Sequence, residues 1–207
     1  MKRWAPPQQN LQTALLKALE ALKGQPPLQL EWLGAGSLSP STWSLAVMGD
    51  RFVIDVASGA VLCSTGQEVG LPWKILALHY LGIRIRPPAY PPEVSFADLA
   101  SGRTYASVYQ ARVIQRLCAK AGRDLPHLRE AALGVHAQSR ACGTGDAAFD
   151  LAVFPRITLR LVWYAPDEEF AASAVLLMPR NIESFLCAED ITVLSEGVVS
   201  RMCGRPF

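Results

Sequence analysis

Residues able to do acid–base or metal chemistry are few and scattered along the chain. His79, His127 and His136 are its only histidines. No two stand three or four residues apart, the spacing that sets two imidazoles on one helical face to hold a metal. His79 sits among Trp73, Ile75 and Tyr80, as a hydrogen-bonded core histidine or a desolvated base. Asp146 and the acidic turn Asp167-Glu168-Glu169 supply carboxylates that could converge with it. Clustered carboxylates can hold a hard cation or share a proton, although an acidic turn is more commonly just solvated.

Gly143-Thr144-Gly145-Asp146-Ala147-Ala148 spells the Gly-x-Gly-x-x-Ala string of dinucleotide sites. In those sites the string follows a strand and opens a helix, so that pyrophosphate lies on helix amides. Here it follows helical sequence and opens a strand, which makes it a tight turn. The sequence has no Gly-x-x-x-x-Gly-Lys-Ser/Thr, His-Glu-x-x-His or Gly-x-Ser-x-Gly string, so phosphoryl transfer, zincin hydrolysis and a nucleophile elbow lose their usual support. Arg112, Arg116 and Lys120 recur at i, i+4 and i+8, with Arg123 just beyond. Without interleaved aromatic residues for base stacking the stripe reads as a solvated face, with an anion-binding ridge as the alternative.

The elements that must position these residues follow from periodicity. Leu11, Leu15, Leu16, Leu19 and Leu22, between Asn10 and Gly24, predict an amphipathic helix over 10–23. After a Pro-Pro break and a Gly/Ser-rich link, residues 43–48 and 51–56 flank Gly49-Asp50, a hairpin signal with glycine placed for a type II′ turn. Residues 70–82 predict a helix starting near Pro72 and ending at Gly82, apolar on nearly every side except Lys74 and His79. Such a helix belongs inside a fold. Pro87, Pro88, Pro91 and Pro92 make 84–94 an extended surface loop. Helices follow over 104–121 and 125–133. The period then becomes two, with a hairpin joined at Phe154-Pro155-Arg156, a third strand over 174–178, and a closing helix over 188–202 that has Glu189 and Asp190 in its first turn. This is an α+β class: antiparallel strands in two hairpin or meander groups, packed with about five helices, one central and buried.

Half of the 207 residues are apolar, charged residues are 18 %, and the formal net charge is +2. The expectation is a single domain over 1–207 with a poorly ordered tail at 1–9. It is not a nucleic-acid binder, which would need a dense basic surface. The opening Met1-Lys2-Arg3-Trp4-Ala5-Pro6-Pro7 does not lead into the apolar stretch of a secretory signal. No apolar run approaches the roughly 20 residues that span a bilayer. Cys63, Cys118, Cys142, Cys187 and Cys203, with irregular gaps and no Cys-x-x-Cys pair, predict reduced thiols in a cytoplasmic protein, mostly filling core space.

Several stretches together carry a resemblance. They are Trp73-Lys74-Ile75-Leu76-Ala77-Leu78-His79-Tyr80-Leu81, Ser95-Phe96-Ala97-Asp98-Leu99-Ala100-Ser101-Gly102-Arg103-Thr104-Tyr105, Gly145-Asp146-Ala147-Ala148-Phe149, Phe154-Pro155-Arg156-Ile157, Leu161-Val162-Trp163-Tyr164-Ala165-Pro166-Asp167-Glu168-Glu169-Phe170 and Leu186-Cys187-Ala188-Glu189-Asp190. With these, the chain resembles a family of bacterial and archaeal domains of unknown function, about 200 residues long. Members of that family stand alone or behind an iron–sulfur cysteine motif in anaerobes. The resemblance implies an association with redox or corrinoid one-carbon metabolism. This chain has none of the cluster cysteines, and it reads Leu177-Met178-Pro179-Arg180 where the family tends to carry a Phe-Asp pair.

The reading that follows is a non-catalytic binding or accessory module. Its pocket would be lined by Trp73, His79, Tyr80 and Trp163 near Asp146, Asp167, Glu168 and Glu169, and would hold a small ligand or dock a redox protein partner. No cofactor and no metal is expected. A metal-assisted enzyme using the carboxylates with His79 as base, and a protein-interaction module, are the two alternatives.

Overall fold

The computed structural model describes residues 7–89 and 91–207, with side chains from residue 11 onward. The chain divides into two compact units. The first holds the chain up to Ala46, Asp50–Arg86 and Phe207, and the second holds Val47–Gly49 and Pro87–Pro206. The main division falls at the head of the proline-laden loop, where missing backbone donors leave little to pair with.

The first unit contains α1 (Pro7–Leu22), α2 (Pro27–Trp32), a four-stranded antiparallel sheet in the order β1 (Gly36–Ser39), β2 (Thr42–Val47), β3 (Asp50–Asp55), β4 (Ala60–Leu62), and α3 (Leu71–Leu81). α1 begins at Pro7, earlier than its predicted start. The expected tail at 1–9 therefore lies outside the described residues up to residue 6 and is helical from 7. α3 has the predicted bounds, between an N-cap at Gly70 and a C-cap at Gly82, and buries Trp73, Ile75, Leu76, Ala77, Leu78, Tyr80 and Leu81. Its C-terminal end is held by two buried glutamines. Gln25 Nε2 donates to the carbonyls of Leu81 and Ile83 at 2.8 and 2.6 Å, and Gln29 Nε2 donates to those of Ile83 and Ile85. Carbonyls that a helix end leaves orphaned are thereby satisfied without water. Phe207 lies edge-on to Phe52 and Trp73, with ring centroids 4.9 and 5.3 Å apart.

The turn between β2 and β3 corrects the predicted type II′ geometry. Positive φ falls on Met48 (47°) and Gly49 (79°), the type I′ pattern, in which both central residues are left-handed. Asp50 is already in β3, where its Oδ1 accepts from the Ser64 backbone N–H at 3.1 Å.

The second unit is built on a five-stranded antiparallel sheet in the order β5 (Glu93–Ser95), β9 (Ser173–Pro179), β8 (Ile157–Tyr164), β7 (Ala147–Phe154), β6 (Gln138–Arg140). One long helical rod runs from α4 (Ala106–Tyr109) through a π-helical stretch, Gln110–Gln115, into α5 (Arg116–Ala119). α6 (Leu125–Gly134) and α7 (Ala188–Met202) complete the unit. The π-helical stretch packs against β9 and α7. At its start Tyr109 stacks on Phe96, centroids 4.1 Å apart, and donates to Ser195 Oγ at 3.0 Å; burial pushes the Tyr109 hydroxyl pKa up. Leu151, Val153, Leu159, Leu161, Trp163, Leu176 and Met178 alternate along β7, β8 and β9 to form the buried face, as period-two burial requires.

The α+β class stands, with two antiparallel sheets and six helical bodies among the described residues. None of the five cysteines fills the core as expected. All are free and at least partly exposed. Cys187 and Cys203 are the caps of α7, and such positions are not enclosed on every side. No helix of the described residues is long and apolar enough to cross a membrane.

Candidate functional site

Each residue expected to line a pocket has a definite place. Trp73, His79 and Tyr80 are on α3 in the first unit, whereas Asp146, Trp163, Asp167, Glu168 and Glu169 belong to the second. Tyr80 is fully buried and donates its hydroxyl to the Leu33 carbonyl at 2.7 Å; Trp73 is buried and His79 is half-buried. In the second unit Asp146 and the acidic turn lie at one end of the β7–β8 pair. Asp146 Oδ2 accepts from the Ala165 N–H at 2.7 Å, and Asp167 Oδ1 accepts from those of Glu169 and Phe170. The Glu169 N–H, then that of Phe170, hold the Asp167 carboxyl below its ordinary pKa. Both aspartates thus order turns with their side chains. Among the described residues, no three His, Cys, Asp or Glu side chains gather as a metal-binding group.

A hollow of about 990 Å³ lies wholly within the second unit. One wall is the end of the long rod and the segment after it, with Arg116, Lys120 and Arg123. Another is α6, with His127 and Glu130. The third is the C-terminal end of α7, with Arg201, Cys203 and Arg205. Among the described residues, five lining side-chain cations therefore face one lining carboxylate, Glu130.

Local structure explains how these side chains are presented. At Lys120 the backbone leaves the helix, with φ −122° and ψ −90°. The segment then doubles back, with the Gly122 N–H on the Leu117 carbonyl at 2.8 Å. Gly122 in turn accepts from Trp163 Nε1 at 2.7 Å. A β-carbon on Gly122 would lie 3.3 Å from the Leu117 carbonyl oxygen and touch the Trp163 ring at 3.4 Å, so a small residue suits this close approach. Trp163, only 2 % exposed, thus fixes to the sheet the bend that carries Lys120 and Arg123.

Asp124 caps α6, its Oδ1 accepting from the His127 N–H at 2.9 Å, the usual solution for an orphaned first-turn donor. The same carboxylate takes His127 Nδ1 at 2.7 Å, while Arg123 contacts His127 Nε2. The His127 N–H and ring hold the Asp124 carboxyl below its ordinary value.

α7 ends in a Schellman turn. Gly204 (φ 77°) donates to the Arg201 carbonyl at 2.9 Å, and Arg205 N–H donates to that of Ser200 at 3.1 Å, the paired bonds of that motif. Arg201 Nη1 reaches the Arg205 carbonyl at 2.7 Å. Both cations meet the negative end of the α7 dipole.

Arg112, first in the predicted stripe, is diverted. It forms a forked pair with Glu196 at 2.5 and 2.9 Å and also donates to Tyr105. By contrast, Arg116, Lys120 and Arg205 make no ion pair or side-chain hydrogen bond among the described residues. Arg201 and Arg205, which sequence reading did not nominate, carry a weak signal in their i, i+4 spacing around the predicted end of the last helix.

Converging unpaired cations repel one another, and an anion entering such a hollow removes that repulsion while gaining charge-assisted hydrogen bonds. No curated protein and no solved structure matches the chain. The family model described as "Domain of unknown function (DUF3786)" matches residues 14–201, taking in most of both units, and the chain belongs to that family.

Proposed function

We propose that the protein is a non-catalytic binding module whose ligand is a small anion held in the basic hollow of the second unit. The observation that carries this is the convergence of Arg116, Lys120 and Arg205, all without an ion-pair partner among the described residues, from segments some eighty residues apart in sequence. A solvated stripe on one helix face needs no such gathering. The volume falls within the range of small-molecule sites, roughly 300–1,000 Å³. Nucleic acid is not the partner in this reading, because the net charge is only +2 and, among the described residues, no Phe, Tyr or Trp side chain lines the hollow for stacking.

The family match across both units supports treating the chain as one functional domain. A cytoplasmic place, and service to redox or corrinoid one-carbon metabolism as an accessory module, belong to the same proposal. An anionic ligand is compatible with such a role. The test is calorimetric titration with inorganic phosphate and citrate at fixed ionic strength, on the wild type and on Lys120→Glu, a substitution at an exposed position. Losing one charge-assisted contact and adding repulsion should weaken binding at least about tenfold, since such contacts contribute about 1.5–3 kcal/mol. Absence of binding by either anion, or equal affinity in the reversed variant, would refute the proposal.

A further inference from the structure

Resting on that reading of the hollow, we infer that its ligand carries at least two separated anionic groups on a compact, non-aromatic frame, as an oligophosphate or a polycarboxylate does. The unpaired cations have two origins. Arg116 and Lys120 come from the end of the long rod, and Arg205 comes from the turn that closes α7. Arg123 is engaged with Asp124 and His127, and Arg201 with the Arg205 carbonyl, so these two support the rim at either end and leave the unpaired three as the primary contacts. One tetrahedral anion is small beside a space of about 990 Å³, in which each water would occupy about 30 Å³. Seated at either origin, it would leave the other uncompensated. A ligand with an anionic group at each end neutralises both.

The remaining lining points the same way. Ala119, Ala121, Ala131, Gly134 and Gly204 keep the walls low, so charged groups can approach the backbone, and they offer no flat apolar face to a base or other ring. Glu130, the one lining carboxylate, disfavours an anionic group beside it and so helps to separate the two ends.

The experiment is isothermal titration of the full chain at fixed ionic strength with inorganic phosphate, pyrophosphate, tripolyphosphate and citrate. It is repeated on Arg205→Gln, on Lys120→Gln, and on Arg129→Gln as a control on α6 outside the lining. Tripolyphosphate or citrate should bind at least tenfold more tightly than phosphate, and whichever is the tighter assigns the frame. Arg205→Gln should remove most of that advantage, so that the variant binds phosphate and tripolyphosphate within about threefold of each other, and Arg129→Gln should leave the advantage in place. Equal affinity for phosphate and the larger anions would overturn this inference and leave the anion site standing. So would Arg205→Gln weakening phosphate and tripolyphosphate alike. Failure of every anion to bind would overturn both.

Discussion

The indole of Trp163 and the backbone carbonyl of Gly122 are joined by a hydrogen bond of 2.7 Å, and through it the buried sheet sets the position of a cationic rim. Trp163 is on β8 and Gly122 lies between Lys120 and Arg123, so a core residue with no charge governs where two charges stand. Trp163→Phe would keep most of the packing and leave the Gly122 carbonyl without its buried donor, at a cost of about 1–3 kcal/mol. Anion affinity should fall several-fold at unchanged net charge. Denaturant melts alongside titration with phosphate separate the two effects, and an unchanged affinity would mean that the bend holds its place without the indole.

Asp124 has two duties that substitution can divide. Asp124→Ala removes the cap of α6 and should lower the midpoint of thermal unfolding. Asp124→Asn keeps an acceptor for the His127 N–H and should lose far less. Thermal melts of the pair check the order, and equal losses would place the effect in the carboxylate charge rather than in capping.

Gly204 has φ 77°, and a methyl group added there would meet nothing within 4 Å, so the cost of Gly204→Ala is conformational alone, about 1 kcal/mol. Gly134 also lines the hollow and also has open space around it, without a positive φ. Gly134→Ala should therefore be neutral or mildly stabilising. Chemical denaturation of the two variants reads this difference directly.

Asp150 lies between Arg140 and Arg160, its carboxylate accepting at 2.6 and 2.8 Å, and Arg160 continues to Glu93 at 2.8 Å. Burial pushes its pKa up, but the hydrogen bonds from Arg160 and Arg140 prevail and leave it below the ordinary 3.8. A carboxyl whose folded pKa is depressed contributes stability that is present above its unfolded pKa and lost as pH falls through the folded one. Asp150→Asn should thus cost about 1–3 kcal/mol at neutral pH. The gap to wild type should narrow once the pH drops below about 4. Melts recorded from pH 7 to pH 3 test the sign, and a gap that widened in acid would contradict it.

The parts legible in the sequence are those whose pattern is long enough to establish a period. α3 shows Gly70 and Gly82 at its two ends, β8 opens with Ile157, Leu159 and Leu161 alternating with Thr158 and Arg160 just after Pro155-Arg156, and α7 opens on Glu189 and Asp190. β1, β4, β5 and β6 are three or four residues long, too short for alternation to register, and α2 hides in what reads as a link because it begins on a proline. The site was legible only in part. Arg116, Lys120 and Arg123 share a spacing, but nothing local shows that Arg112 turns to Glu196, or that Arg205 is brought opposite them by a Schellman turn more than eighty residues later. Of the aromatic and acidic residues that stand out by type, Trp73, Tyr80 and Trp163 are buried, and Asp146 and Asp167 accept backbone N–H bonds in turns, because large rings and short carboxylates are also what cores and turns use.

The most direct test of the account is residue-resolved. Amide NMR spectra of the labelled full chain, titrated with tripolyphosphate at constant ionic strength, should show saturable shifts concentrated at Arg116–Arg123, His127–Gly134 and Arg201–Arg205. Shifts spread evenly over the exposed lysines and arginines, or centred on α3 or the Asp167–Glu169 turn, would contradict it.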